Sequence, residues 1–528
     1  MRQIPIGVFL GLAILTGAAA VAGAAAADPM PVFTHGVASG DVTATGALLW
    51  TRVDRPVTLK VEVFDDPGLR GRKAFQATVH VTAASDFTAR VDATGLRPAT
   101  THFYRWRHGH ARSDVGTFTT APAPSEPRSV RFVYTGDSDG TRVGGAPFFN
   151  QFEVLRQARL EDPAFFVYLG DTIYGDSPLR PAGPAVALDE YRDAYRENRT
   201  IAALPELLAA TSTYAQPDDH EVFDDYSGAT VPLARYDAGR RAFLEYMPVR
   251  DTGLLHDPTC AGAPLFRTFR WGSLVDIIIP DERSCRSDTA AAACAGDPLP
   301  AVPALLRQQF GLPPSPPPGC LATIFDPRRT MLGPVQKEAF KEALRASTAK
   351  FKFVMSQLAF QQFHALPYDR WEGYASERAE ILRLIRDHGI ENVIFLSTDT
   401  HASLVNEVFL DRFTDPRPVA VELITGPIAT FTLEREIFEF GERSGIGGLA
   451  AVAGLQAILS LGPGPPFFVP GLPPHVPADC RNLDRVSYGL VEVDAGSGTA
   501  RVTLKDDAGA PVLDQAPPGG PCAFTFGP

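Results

Sequence analysis

The residues best suited to chemistry fall in four short stretches, and the densest is Tyr214-Ala-Gln-Pro-Asp-Asp-His-Glu-Val222. There Asp218 and Asp219 run directly into His220 and Glu221. Carboxylates are hard oxygen ligands, imidazole is a borderline nitrogen ligand, and His also carries protons. A single acid run of this kind is more often a solvated turn than a site. Three further stretches change that reading, because each ends an apolar run in acid or His: Val133-Tyr-Thr-Gly-Asp-Ser-Asp139, Phe166-Val-Tyr-Leu-Gly-Asp-Thr-Ile-Tyr174 and Ile394-Phe-Leu-Ser-Thr-Asp-Thr-His401. In open α/β sheets, ligands bind beyond the carboxyl ends of the strands, so four such strand ends can meet in one crevice.

The chemistry follows from the residue types. Asp137 and Asp139 form an Asp-x-Asp pair, and Asp399 and His401 an Asp-x-His pair. Asp171 follows Gly170, whose missing side chain lets backbone approach closely; a carboxylate there can bridge two cations. Tyr174 can supply a phenolate, Asp218 and Asp219 more carboxylate, and His220 a proton. Two cations about 4 Å apart activate water and stabilise the attacking and leaving oxygens of an in-line displacement, which is phosphoester hydrolysis. Each residue also has a plain structural role open to it: Asp171 as a helix cap, Tyr174 as a packed aromatic, His401 as a satisfied core His, Asp139 as a turn residue. The shared strand-end context of all four stretches favours the site.

The elements that must position these groups alternate along the chain. Residues 30–120 read as β, with strands at 47–51, 58–64, 75–81, 96–106 and 116–120, in the manner of a small sandwich. His102, His108 and His110 there read as surface residues. Ala121-Pro-Ala-Pro-Ser-Glu-Pro127 is an extended linker. Beyond it, strands at 130–135, 165–169, 274–279, 351–355, 393–396 and 419–424 alternate with helices at 148–160, 189–208 (interrupted near Pro205), 335–346 and 378–387. Short apolar runs separated by helices indicate a sheet buried on both faces. Residues 485–512 return to β, with Asp506-Asp-Ala-Gly509 as a hairpin-type turn, and 462–477 is a Pro- and Gly-rich loop. The fold class expected is α/β (α+β), preceded by a small all-β domain.

Composition narrows the function. The 528 residues are 45% hydrophobic and 21% charged, enough for two or three packed domains and against wholesale disorder. Sixty-one Asp and Glu against 49 Lys and Arg argue against broad binding to nucleic acid or an anionic membrane surface. Arg2, an apolar run over 4–15 and small residues up to Ala27 describe a secretory signal over 1–27, without a twin-arginine pair and without a lipoprotein Cys. No later run is long and apolar enough for a transmembrane helix. The expected location is secreted, periplasmic or extracellular.

Six cysteines suit export. Their positions group Cys260, Cys285, Cys294 and Cys320 around a Pro-rich insertion at about 285–320, and set Cys480 with Cys522 around the terminal strands. A thiolate metal site is disfavoured because no Cys-x-x-Cys spacing occurs.

On Leu169-Gly-Asp-Thr-Ile-Tyr174, Asp218-Asp-His-Glu221, Asp281-Glu-Arg283 and Asp399-Thr-His401, the chain resembles the PhoD-like alkaline phosphatases within the calcineurin-like metallophosphoesterases. The resemblance runs over nearly the whole mature chain, and the leading β region resembles the fibronectin type III-like domain that precedes many secreted phosphatases. It implies a metallophosphoesterase sandwich of mixed sheets flanked by helices over 123–528, a fibronectin type III-like domain over 28–122, and hydrolysis of phosphate mono- or diesters. It implies two or more metal ions, Fe3+ and Ca2+ as in some members, with Zn2+ or Mn2+ as alternatives. Family ligand positions carry onto Asp137, Asp171, Tyr174, Asp219 and His401; residue type adds Asp139 and Asp399. His220, Arg283 and Asp218 are the expected catalytic residues, with Arg283 open between forking onto phosphate oxygens and a structural ion pair. The chain departs from the family at Thr398, where Gly is usual, at Pro217, where Trp is usual, and at Pro280 and Glu282 beside Arg283. Some members carry Cys near Asp137 and Asp139. The alternatives are a phosphodiesterase of phospholipase D type and, in another class, a secreted binding protein with a degenerate phosphatase domain. The expected partner is a small-molecule phosphate ester, with no nucleic-acid scaffold and no transmembrane anchor; the oligomeric state stays open.

Overall fold

The computed structural model describes residues 30–250, 260, 265–309, 311–411, 414–445, 447–459, 480–515 and 519–527. The expected secretory signal and the 462–477 loop lie outside these residues. Two mixed sheets face each other. One has seven strands in the order 267–271, 275–279, 351–355, 393–397, 415–424, 403–411, 480–482. The other has nine, in the order 523–526, 499–506, 487–494, 130–135, 165–169, 212–216, 33–40, 46–53, 88–94. Both sheet centres are parallel: 130–135, 165–169 and 212–216 run together in one, and 275–279, 351–355, 393–397 and 415–424 in the other.

The sequence explains the layers. Central strands such as Phe165–Leu169 and Val393–Ser397 are buried along their full length, as their unbroken apolar runs require. One cluster fills the space between the sheets, with Phe132, Phe165, Trp271, Phe353 and Leu396 among its members. Amphipathic helices cover the outer faces: Glu153–Leu160, Leu188–Asn198, Ala203–Ala210 and Leu233–Tyr246 on the nine-stranded sheet, Pro334–Ala346 and Ala375–Asp387 on the seven-stranded one. At roughly 25 cal/mol per Å² of apolar surface, these three faces supply most of the folding drive.

The N-terminal region is all-β, as expected, and is also joined to the larger sheet. Strands 33–40, 46–53 and 88–94 extend the nine-stranded sheet, with Ser39 and Gly40 pairing parallel to Ser212 and Thr213. Strands 57–64, 73–81, 101–108, 111–112 and 116–119 form a separate five-stranded sheet, and Leu59, Val61 and Trp106 share a core with Val37 and Leu49.

Two expected helices change. The 148–160 helix begins only at Glu153, because Asn150 Oδ1 accepts the Phe152 N–H (2.7 Å) and Phe152 turns left-handed (φ 56°). The 189–208 helix breaks at 199–202 rather than at Pro205. Pro205 lies in the first turn of the second helix, where an N–H has no intrahelical partner to lose. Disulfides join Cys260 to Cys285, Cys294 to Cys320 and Cys480 to Cys522, within the two groups expected.

Candidate metal centre

Every group in the crevice leaves the carboxyl end of a parallel strand. Strand 130–135 delivers Asp137, strand 165–169 delivers Asp171, and strand 212–216 delivers Asp218, Asp219 and His220. From the facing sheet, strand 275–279 delivers Arg283 and strand 393–397 delivers Asp399 and His401. The turns are tight. Asp137, Asp171, Asp399 and His401 all have positive φ (62°, 47°, 61° and 54°), a conformation that costs non-glycine residues and collects at functional sites. Gly170 (φ 95°) is needed for a second reason: a Cβ there would stand 2.6 Å from the Cβ of Asp218.

Four overlapping sets of ligand atoms result; one joins Asp219 to the exposed Asp224 and Asp225, and three lie among the crevice residues. Asp137, Asp171 and His401 bring one atom each within 4.8 Å of the others; so do Asp171, Asp219 and His220, and so do Asp218, Asp219 and Asp399. Asp171 belongs to the first two sets, the place a bridging carboxylate must occupy. The Tyr174 hydroxyl is 3.1 Å from His401 Nε2, and its ring stacks on His220 at 4.0 Å between centroids. Asp218 Oδ2 and Asp219 Oδ1 are buried with no hydrogen-bond donor among the described residues. Buried carboxylate oxygens without donors are costly, and a hard cation is the partner that suits them. The donor set therefore fits metal ions.

Asp139 stands apart. Its Oδ1 accepts the Thr141 N–H (2.9 Å) and its Oδ2 the Ser177 hydroxyl (2.7 Å), and it joins none of the three sets. Arg283 is fully buried and meets four carboxylates: Asp218 through Nε, Asp369 at 2.8 Å, Asp399 at 3.3 Å and Asp219 at 3.4 Å. Asp281 accepts from Ser284 N (3.0 Å) and Ser284 Oγ (2.7 Å), which fixes the turn that points Arg283 inward. Thr398, in the place of the usual Gly, donates its hydroxyl to Asp137 Oδ2.

The electrostatics are those of a site built for cations. Burial lifts the carboxyls of Asp137, Asp171, Asp218 and Asp399 above the usual range. At Asp171, His220 opposes the burial, while Asp219, Asp218 and Glu221 reinforce it. Burial works against charge on both imidazoles, yet Asp171 and Asp219 hold His220 well above its ordinary value, and Glu436 and Asp137 hold His401 at about 9. Burial, then Asp171 and Asp137, keeps Tyr174 a neutral phenol in the absence of a cation.

Several partners carry no signal in sequence. Glu436, on the helix Leu433–Ser444, takes the His401 Nδ1 proton at 2.7 Å; Asp176 takes that of His220 at 2.6 Å. Each fixes which ring nitrogen faces the crevice. Asp369 lies on a loop far from any motif, whereas Asp225, whose N–H donates to Asp219 Oδ2 (2.6 Å), follows Glu221 by four residues. Asp176, two residues after Tyr174, had a local hint of the same kind.

Facing mixed sheets with outer helices, and a crevice of Asp, His and Tyr at the strand ends, define a metallophosphoesterase-like protein. Comparison with known proteins gives the particular family. Residues 141–444 match the PhoD-like phosphatases and residues 18–122 the N-terminal domain of the same family. The chain belongs to the PhoD-like phosphatases. Alkaline phosphatase D of Bacillus subtilis (strain 168) is 27% identical over 417 residues, covering 72% of this chain and 66% of that protein, just under two thirds of its length. The solved structure of PhoD superposes with a TM-score of 0.71 at 21% identity, over 95% of this chain and 91% of that one. The purple acid phosphatase PPD1 from yellow lupin (Lupinus luteus) seeds gives 0.55 at 11% identity, over 94% and 74%. At these identities both structures speak to the fold.

Proposed function

We propose that this chain is an exported, metal-dependent phosphoesterase of the alkaline phosphatase D type, acting on small-molecule phosphate esters. The observation that carries the proposal is the placing of Asp171 in two ligand sets at once, flanked by the unpartnered oxygens of Asp218 and Asp219. The proposed ligands are Asp137, Asp171, Tyr174, Asp219 and His401, with Asp218 and Asp399 joining Asp219 in the third set. Two bound cations supply water activation and neutralise charge building on the phosphoryl oxygens. Asp176 holds His220 Nδ1, so Nε2 faces the crevice beside Asp171 (4.0 Å to Oδ2) and can give a proton to the departing alkoxide. Arg283, with its charge spread over four acids, holds the Asp218 and Asp399 loops together; it reaches phosphate only if one of those acids turns to a cation. Asp139 serves the loop, by its bonds to Thr141 and Ser177.

Fe3+ and Ca2+ are the proposed metals, because a phenolate from Tyr174 and a surround of carboxylates suit hard cations. The pure protein is then coloured, and Tyr174→Phe bleaches the band while Asp218→Asn keeps it. A Tyr174→Phe protein of unchanged colour removes Tyr174 from the ligand set. Export is supported by three disulfides, a bond type of oxidising compartments. Among the described residues no helix is long and apolar enough to cross a membrane. Division into 28–122 and 123–528 is proposed on the coil that links strand 116–119 to strand 130–135. The test is hydrolysis of p-nitrophenyl phosphate and bis-p-nitrophenyl phosphate by metal-replete protein. Activity on either that vanishes in Asp171→Asn supports the reading; no hydrolysis of any phosphate ester supports the binding-protein alternative.

A further inference from the structure

A second cavity, of about 570 Å³, opens where the N-terminal strands meet the helices of the larger sheet. Phe33, His35 and Gly36 line it from the first strand, Val115 and Thr117 from the end of the five-stranded sheet, and residues from Arg159 to Ala210 from the helical side. None of its lining residues belongs to the metal crevice.

Its floor is Arg199, a residue only 2% exposed. Other buried arginines nearby have carboxylate partners: Arg52 pairs with Asp86 at 2.9 Å and Arg192 with Glu245 at 2.6 Å. Arg199 pairs with none among the described residues. It lies 3.9 Å over the Trp50 ring and donates one hydrogen bond, from Nη2 to the Tyr246 carbonyl (2.5 Å). Its Nε and Nη1 are buried and have no acceptor among the described residues. A buried cation without a counter-charge is strongly unfavourable unless something supplies the charge. Beside it, His35 sits in a bulge of the first strand, at φ 65°, with a buried Nδ1 that also lacks a partner. Bulges of this kind re-aim side chains, and here Gly36 packs so closely on Pro205 that a Cβ would meet it at 2.9 Å. Arg159 adds a second guanidinium, paired with Glu206 at 3.5 Å but with its Nε unpartnered among the described residues. The walls are mainly apolar, with Phe33, Val115, Ala202, Pro205, Ala209 and Ala210, and the two carboxylates of the lining, Asp114 and Glu206, are solvent-exposed.

The field bears this out. Burial and the nearby charges of Arg52, Arg199 and Arg196 push His35 down to about 4, and burial pushes Arg199 down to about 10. Burial is the leading cause of both shifts, and at His35 the three guanidinium charges outweigh the opposing carboxylate of Asp86.

We infer that this cleft is a binding site for a small organic anion, a carboxylate or phosphate on an apolar body, with Arg199 taking the anionic end and the alanine-lined wall taking the body. Either free donor, taken with the second N–H of Nη2, makes the planar fork that suits a two-oxygen anion.

The test uses the metal-replete full chain and three probes of one shape: benzoate, benzyl alcohol and benzylamine. Benzoate at about 10 mM raises the melting midpoint, while the alcohol and the amine leave it unchanged. Arg199→Lys, which keeps the charge and loses the fork, weakens benzoate about tenfold or more by calorimetry. Ala202→Phe, on an exposed wall position, abolishes the shift and keeps the fold if Arg199→Lys does not. Asp171→Asn retains the shift, which separates this site from the metal crevice and keeps its fate distinct from that of the proposed hydrolysis. No response to benzoate, an equal response to benzylamine, or a full response in Ala202→Phe overturns the inference.

Discussion

The metal crevice and the Arg199 cleft bury charge of opposite sign, and in neither do the described residues supply a full set of counter-charges. In the crevice, Asp137, Asp171, Asp218 and Asp399 are pushed toward their protonated forms. In the cleft, His35 and Arg199 are pushed toward their neutral forms. The same cause, loss of water around a charge, acts in both. The two regions meet back to back. Asn198 donates to the carbonyls of Ser138 (2.8 Å) and Thr172 (2.9 Å), stapling the loops that carry Asp137 and Asp171, and the next residue is Arg199. The difference lies in how each is legible. The crevice is written as motifs at strand ends; the cleft is written as an absence of partners, which only the fold reveals.

The comparison is broken most severely at Asp171. Asp171→Asn is expected to lose metal and to cut hydrolysis about a thousandfold, roughly 4 kcal/mol of transition-state stabilisation, with an unchanged circular dichroism spectrum. Full metal occupancy in that variant would contradict the bridging position. Next come the two histidines. His220→Asn should lower turnover about a hundredfold while keeping its metals, and His401→Ala should lose metal first. Equal metal loss in both would make His220 a ligand, as its proximity to Asp171 and Asp219 permits. Glu436→Gln is expected to weaken metal binding about 10- to 100-fold by freeing the His401 ring; an unchanged affinity would show that Tyr174 alone orients it.

The smallest effect concerns pH. His35 has a folded value of about 4 against an ordinary 6.5, so it is neutral when folded and protonates on unfolding below 6.5. Its contribution is whole above pH 6.5 and is lost as pH falls toward 4. The crevice acids act the other way in metal-stripped protein: with folded values above their ordinary ones, they contribute most at low pH and less as pH rises. Melting curves of stripped wild type and His35→Asn, taken from pH 7.5 to 4.5, should diverge above pH 6.5 and converge toward pH 4.5. A constant offset would mean that His35 is hydrated in the fold.

How much of this was legible follows from range. Asp137, Asp171, Asp218, Asp219, Asp399 and His401 were readable because apolar strand runs end at them, and strand ends gather in α/β folds. The parallel strands themselves were readable from unbroken apolar runs. The strand Phe33–Gly40 was not: His35 and Gly36 interrupt it with a bulge, and its burial depends on pairing with Ser212 and Thr213, more than 170 residues away. Glu436 was hidden for a like reason, since it lies on a helix whose own pattern says nothing about His401. Asp139 read as a ligand because Asp-x-Asp is a ligand spacing; in the fold Thr141 and Ser177 occupy both of its oxygens.

The central claim is that buried acids and imidazoles at the strand ends hold cations that hydrolysis requires. Elemental analysis of protein purified without chelator, run beside phosphatase assays before and after chelation, tests it most directly. The account predicts two or more metal ions per chain, loss of activity with loss of metal, and recovery when metal is returned. Full activity in protein carrying less than one metal ion per chain would contradict it.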